Sequence, residues 1–492
     1  MAALAAWIER RPGAAFAAFA ALHAAVWTAL PTLLYKNLPL DLIEALTYGR
    51  EWQLGYDKLP PLPWWLVEVV YRLFGSDVAY YAFSQVVILA TFALVFATAR
   101  PLVGAVGALV AVLIIDGLHY FSYTAPKFNH DVIQLPFWAL AGFAFRAGLR
   151  HGRIAAWLLL GFALGVTLWA KYFMVVLAVP LALFLLIDRD ARRSLATPGP
   201  WLAVAAALVV MAPHLIWLMR NDFLPFAYAS ARAAPSHGVF DHVVHPLVFA
   251  ASQLATMVPA LAIAAPLRWP RPAATAPNVD AFDRRIVTLL AFGPAATLIT
   301  LSAISGRGLV AMWGYPLWLF LGLWIVMTVG AVIDRRRLAR IAAVWAVVFV
   351  GLCAAFIADY TMLPKIDHRY RAAFFPGDRL ASEIGERFRA ATGAPLRYVV
   401  ASMWVGGNVA RYSADRPRVL IDGSPRRAPW IDLADLKARG AAVVWVVGDR
   451  TSVPPEYRAV APEAQVGAPF TLPNRNGIGD VEVGWAIVPP GK

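Results

Sequence analysis

The chain has one cysteine, Cys353, in 492 residues. An internal disulfide is therefore excluded, and cysteine usage says nothing about redox compartment. Charge is scarce too: Asp, Glu, Lys and Arg make up 15% of the residues, against about a quarter in ordinary soluble domains. H-E-x-x-H is missing, as are a P-loop and G-x-G-x-x-G, so metalloprotease, ATP-driven and NAD-driven chemistry find no support. Internal repeats are absent, as are low-complexity segments beyond an alanine-rich bias. What is abundant is apolar surface. Hydrophobic residues make up 60% of the chain and the mean hydropathy is +0.61, which marks a polytopic helical membrane protein.

The net charge of +14 does not indicate nucleic acid. The arginines cluster at the ends of apolar stretches, where they encode topology. About eleven spans are expected, each near the ~20 residues that a bilayer core requires. They are 14–33, 78–99, 102–119, 132–149, 154–170, 172–187, 200–218, 246–267, 286–304, 310–330 and 341–358. The first reads as a retained span, because no small-residue cleavage site follows it.

Alternate connections carry Arg10/Arg11, Arg100, Arg150/Arg153, Arg189/Arg192/Arg193, Arg268/Arg271/Arg284/Arg285 and Arg335/Arg336/Arg337/Arg340. That set is expected to be cytoplasmic. The loops at 34–77, 120–131, near 171, 219–245 and 305–309 then face outward, as does the C-terminal region. Within the first outer loop, Asp41–Trp52 reads as a short helix. Pro61–Phe74 reads as a second, lying in the interface plane, with Pro60-Pro61 suited to a helix start. The expected organisation is an all-α membrane domain over 1–371 and a small periplasmic α/β domain over 372–492. The latter has a helix at 378–392 and strands at Leu396–Ser402, Arg418–Ile421 and Ala441–Val447 in a largely parallel sheet. Gly406-Gly407 reads as a strand-to-helix turn, with Asn408–Tyr412 helical.

Polar residues gather on the expected outer side. The groups are Asp41, Glu44, Tyr56, Asp57 and Lys58; Lys127 to Asp131; Lys171-Tyr172; His214 to Phe226; and Ser305 to Arg307 with Trp313 to Pro316. Ionisable groups beside a bilayer are costly and point to function. Cations suit phosphate, and a carboxylate can accept a proton or organise an acceptor. Each group also has a structural explanation. Asp131 suits a helix N-cap, Lys171 can snorkel, Asp57 suits a turn, and His130 and His214 suit structural hydrogen bonds. His237, Asp241, His242 and His245 share a helical face and leave room for a divalent cation, although a solvated loop explains them as well.

The run Asp41-x-x-Glu44 to Gly55-Tyr56-Asp57-Lys58-x-Pro60-Pro61, with Trp64-Trp65 and Leu73-Phe74-Gly75, resembles the bacterial protein-mannosyltransferase-like group. This is glycosyltransferase family 39 and its relatives, which include the lipid A aminoarabinose and lipopolysaccharide-core galacturonic acid transferases. Asn129-x-Asp131, Lys171-Tyr172 and Pro213-x-x-x-Trp217-x-x-x-Asn221-Asp222-Phe223-x-x-Phe226 are similar to further landmarks of that group. The resemblance covers about residues 1–330. Two features depart from it: Glu44 stands three residues after Asp41 rather than in an adjacent acidic pair, and Leu59 loosens the Lys58–Pro60 spacing.

The resemblance implies a GT-C fold and transfer, with inversion, of a sugar from a polyprenyl-phosphate donor to a lipid, glycan or protein acceptor. The reaction would take place at the periplasmic face of the bacterial inner membrane. It implies Asp41 as the primary catalytic carboxylate, with Asp131 and Glu44 as further acidic residues. Lys58, Tyr56, Asn129, His130, Lys171, Arg220 and Arg307 would bind donor phosphate or substrate. A transporter or flippase of lipid-linked sugars is the alternative, but it calls for polar residues at mid-membrane and on both sides, and often for repeats. A tag-accessibility map is expected to place 34–77 outside; a cytoplasmic placement would overturn the orientation.

Overall fold

The computed structural model describes residues 2–269 and 279–491; Arg271 lies outside them. The chain divides into two compact units. One comprises Met1–Leu30, Lys58–Pro60 and Tyr81–Phe356, the other Pro31–Asp57, Pro61–Tyr80 and Ile357–Lys492.

The first unit is helical. Among the described residues, seven helices are long and apolar enough to cross a membrane: Pro12–Leu34, Asp77–Asp116, His130–His151, Pro198–Arg220, Asp241–Leu267, Ala281–Ser305 and Arg335–Thr361. Ile154–Ala170 and Met174–Ile187 are shorter and equally apolar. This is a multi-pass membrane protein. Asp77–Asp116 has 40 residues, about 60 Å of helix against a hydrocarbon core of about 30 Å. It is broken at Gly104, whose φ of 72° and ψ of 171° are not helical. Glycine takes that backbone without a Cβ penalty, so the two spans expected at 78–99 and 102–119 meet there.

The stretch 310–330 differs from the continuous span expected. A 3₁₀ turn at Ala311–Gly314 and turns through Phe320 precede a helix of only nine residues, Leu321–Val329. Pro316 interrupts helical bonding, and Gln253 takes over as the organiser of this segment. Its Oε1 accepts from Tyr120 and Trp318, both at 3.1 Å, and its Nε2 donates to the Ala311 carbonyl at 3.0 Å. Deeper in the same unit, His23 Nδ1 lies 2.9 Å from Asp116 Oδ1, both side chains buried. Trp345 donates to the other Asp116 oxygen at 2.7 Å. Three helices are thereby joined through one buried carboxylate.

The second unit is built on a mixed sheet. Its strands are β1 (Tyr398–Ala401), β2 (Arg418–Ile421), β3 (Ala441–Trp445), β4 (Gln465–Val466), β5 (Phe470–Pro473) and β6 (Asp480–Val488), with spatial order β2-β1-β3-β6-β4 and β5 on β6. The three strands expected from sequence are parallel to one another; β6 pairs antiparallel with β3, and β4 and β5 pair antiparallel with β6. Side chains alternate across the sheet with the period of two that strands impose. Val399 and Ala401 pack with Leu380, Ile384 and Phe388 of the Gly377–Thr392 helix. Tyr398 and Val400 pack on the opposite face with Leu420, Leu436 and Tyr457.

The first-loop helices, Leu40–Gly49 and Leu62–Phe74, belong to this unit. Gly406-Gly407 is not a turn but lies inside the Met403–Tyr412 helix. A Cβ on Gly406 would sit 2.5 Å from Val419 Cγ1, and one on Gly407 would sit 2.5 Å from Thr47 Oγ1 and 2.7 Å from Ile43 Cγ2. The paired glycines let this helix lie between the sheet and the Leu40–Gly49 helix. Gly407→Val is therefore expected to destabilise the protein by about 1–3 kcal/mol or more through overpacking. The check is a lowered thermal midpoint of the purified protein.

Candidate active site

In the membrane unit, polar groups gather around the start of the His130–His151 helix. Asn129 is the N-cap: its side-chain oxygen accepts from the backbone N–H groups of Asp131 at 3.0 Å and Val132 at 3.2 Å. Asp131, read as a candidate cap, instead sits in the first turn, where the helix dipole favours a negative charge. Its Oδ1 lies 2.5 Å from Lys171 Nζ and accepts from Gln134 Nε2 at 3.1 Å. Asp131 and Lys171 are each only 8% exposed.

Lys171 occupies an extended break between Ile154–Ala170 and Met174–Ile187. The break frees its side chain from either helix face, and its ammonium also lies 4.8 Å from the centre of the Phe173 ring. His130 bonds the Pro60 carbonyl at 2.9 Å, which anchors the Lys58–Pro60 turn. Lys58 lies over the Tyr228 ring at 5.0 Å. Tyr172 and the fully buried His214 are hydrogen-bonded at 3.1 Å, and Trp217 stacks on the histidine.

Arg307 donates to the Ser230 hydroxyl at 3.1 and 3.2 Å and to its carbonyl at 3.0 Å. Arg220 is exposed at the end of Pro198–Arg220. The histidines near 240 are engaged elsewhere: His242 and His245 bond the carbonyls of Ala303 at 2.7 Å and Gly306 at 2.8 Å. Among the described residues no group of three or more His, Cys, Asp or Glu is placed to hold a metal ion.

The remaining candidates lie in the second unit. Asp41 is half-buried in the first turn of Leu40–Gly49, and Glu44 is buried on the same helix. The three-residue spacing puts both carboxylates on one face. Tyr56 is buried; its hydroxyl donates to the Tyr48 carbonyl at 2.8 Å and accepts from the Gln53 N–H at 3.1 Å. Burial pushes the Tyr56 hydroxyl pKa upward. Burial does the same to Tyr48, reinforced by the Asp57 and Glu44 carboxylates. Asp57 accepts from the Tyr48 hydroxyl at 3.0 Å and from Arg427 Nε at 2.7 Å. Asp57 and Tyr56 are thus occupied in shaping the loop.

Residues 58–217 match the family described as dolichyl-phosphate-mannose-protein mannosyltransferase. Over 222 residues the chain is 28% identical to lipopolysaccharide core galacturonosyltransferase RgtA of Rhizobium johnstonii, covering 44% of this chain and 43% of that one. Over 185 residues it is 27% identical to lipid A galacturonosyltransferase RgtD of the same organism, covering 36% and 37%. These alignments span less than half the length of the curated relatives. The solved structure of ArnT from Cupriavidus metallidurans bound to undecaprenyl phosphate superposes with a TM-score of 0.64 at 15% identity, over 96% of this chain and 97% of that one. The apo structure of the same protein gives 0.64 at 17% identity, over 99% and 98%.

The fold is the GT-C fold.

Sequence reasoning passed over two parts of this GT-C chain. Gln134 stands one helical turn beyond Asp131, a spacing that could have flagged it. Glu68 is completely buried, and Arg72 and Arg416 both pair with it, at 2.8 and 2.6 Å. The Arg72 contact is legible as an i, i+4 pair, whereas the Arg416 contact crosses 348 residues and has no local signal. Lys171→Met is expected to take the ammonium from beside the buried Asp131 carboxylate and, as the loss of one partner of a buried pair, to cost about 3–5 kcal/mol. Adding Asp131→Asn should recover most of that loss, as read from thermal unfolding of the single and double variants.

Proposed function

We propose that this chain is an inner-membrane glycosyltransferase that moves a hexosyl or pentosyl group from a polyprenyl-phosphate donor to a lipid, glycan or protein acceptor at the periplasmic face, with inversion. The observation that carries this reading is the buried Asp131–Lys171 pair at the break between two apolar helices. A cation held there suits the phosphate end of a lipid whose tail stays in the membrane. The reading is further supported by the GT-C fold and by the undecaprenyl phosphate bound to a protein of similar fold.

In the transfer, an acceptor oxygen forms a bond to the anomeric carbon as the bond from that carbon to the phosphate oxygen breaks. The phosphate leaves with the bonding electrons. Asp41 takes the proton when the acceptor is a hydroxyl; when the acceptor is a phosphate, Asp41 orients it instead. Glu44 supports Asp41 from the same helix face. Lys171 neutralises the charge that develops on the leaving phosphate, a role that preorganised cations serve well, and Asp131 positions Lys171. Lys58, Arg220 and Arg307 supply further positive charge for the donor. Asn129, His130 and Tyr56 hold the backbone that carries these groups.

The test uses purified protein with a panel of radiolabelled undecaprenyl-phosphate sugars. Asp41→Asn should lower transfer to a hydroxyl acceptor by about 10²–10⁴-fold, the usual scale of a lost general base. Undiminished transfer would remove Asp41 from the mechanism. Wild-type protein that transfers no sugar but moves lipid-linked sugars across vesicles would overturn the enzyme reading.

A further inference from the structure

The second unit holds a cavity of about 380 Å³ into which five arginines project: Arg50, Arg397, Arg416, Arg418 and Arg439. Two carboxylates, Asp415 and Asp435, share its lining, and both are committed. Asp435 accepts from the Tyr398 hydroxyl at 2.5 Å and from Arg439 Nε at 2.8 Å. Asp415 accepts from the Leu396 N–H at 3.0 Å and from Arg389, outside the cavity, at 3.1 Å. Arg416 and Arg418 have partners in Glu68 and Glu51.

The remaining arginines of the cavity are Arg50 and Arg397. Arg50 donates to the carbonyls of Arg416 at 2.6 Å and Pro417 at 3.0 Å, and its Nε lies 3.7 Å from Glu51, which Arg418 also engages. Burial lowers its pKa, and the nearby charges of Arg416 and Arg418 lower it further, against the opposing effect of Glu51. Arg397 is exposed and makes no ion pair among the described residues. Five arginines face four carboxylates, Asp415, Asp435, Glu51 and Glu68, so positive charge is in excess around the cavity, which favours entry of an anion.

The cavity sits where β1 and β2 begin, with Tyr398 paired to Arg418 in the first register position. Open α/β sheets ordinarily bind ligands at the opposite, carboxyl ends of their strands, so the fold by itself does not dictate this cluster. Arg416 also holds a left-handed backbone, with φ of 45°, immediately before Pro417. Guanidinium groups present paired N–H donors that match the oxygens of a phosphoryl group. The volume falls near the lower end of small-ligand sites, about 300–1,000 Å³.

We propose that this pocket binds a phosphate monoester, carried either by a free saccharide or by a lipid headgroup. It does not depend on the sugar-transfer reading. The test is calorimetric titration of the full-length protein in phosphatidylcholine nanodiscs with inorganic phosphate and with glucose 6-phosphate, repeated in nanodiscs containing phosphatidic acid. Saturable binding that weakens with salt is expected. Prior occupancy by phosphatidic acid would identify the lipid source, and unchanged glucose 6-phosphate binding would identify the saccharide. Arg397→Gln, an exposed change that removes no ion pair, should weaken binding on the order of tenfold, and Arg397→Gln with Arg439→Gln should weaken it more. Arg426→Gln, outside the cavity, should leave binding unchanged. No saturable binding, or equal affinity in wild type and both pocket variants, would overturn the proposal. So would a loss in Arg426→Gln as large as in the pocket variants. Sugar transfer by wild type and Asp41→Asn, measured separately, tests the other reading alone.

Discussion

Burying an unpaired charge costs far more than any single contact returns, and this constraint governs the membrane unit. Lys171 lies at the interruption between two short apolar helices, and its ammonium is held by Asp131. Asp131 needs donors of its own, and Gln134 supplies one. Asn129 fixes the first turn, so the carboxylate projects from a defined position. His130 ties that turn to Pro60 and so to the segment bearing Lys58. The ion pair, the Asn129 cap and the His130–Pro60 bond thus meet within one helical turn. The His23–Asp116 contact, with Trp345 bound to the same carboxylate, repeats the principle elsewhere in the unit.

The second unit obeys the same rule with arginine as partner. Glu51, Asp57 and Glu68, all from the segment between the first two long apolar helices, pair with Arg418, Arg427 and Arg416. The loop helices are therefore fastened to the sheet-bearing region by charge as well as by the close approach at Gly407. Tyr48 stacks on Trp64 with ring centres 4.3 Å apart and so links the two helices directly. Around the cavity, Arg397 makes no ion pair among the described residues, and arginines outnumber carboxylates there.

Much of this was legible in the sequence. Long apolar runs located most of the helices of the membrane unit, because membrane helices must satisfy their own backbone groups; of the eleven stretches expected, seven helices among the described residues are long and apolar enough to cross a membrane. The helix of Leu62–Phe74 announced itself through Pro61 and Gly75, and Gly75 does close it in a left-handed conformation. Residue type and position flagged Asp131 and Lys171, but their pairing depends on tertiary packing that no local spacing encodes. The stretch 310–330 misled because apolarity alone does not distinguish a continuous span from turns organised by a distant glutamine. Strands β4 and β5 escaped notice because they are only two and four residues long, with Gly467 and Pro473 at their ends; β6, nine residues long, was simply passed over. Gly406-Gly407 read as a turn because glycine signals both a bend and a tight helix contact, and only the neighbouring element decides which.

The pairing of Glu68 with Arg416 has a consequence in time. The two residues are 348 positions apart. At about 5–20 residues per second of synthesis, the glutamate waits on the order of tens of seconds for its partner to exist. Throughout that interval the first loop, with its buried carboxylates and stacked aromatics, lacks the surface it is shaped to meet. The loop carrying Asp41 therefore reaches its final form only when the last part of the chain arrives, and a ribosome stalled midway would leave the membrane helices inserted with this loop unfinished.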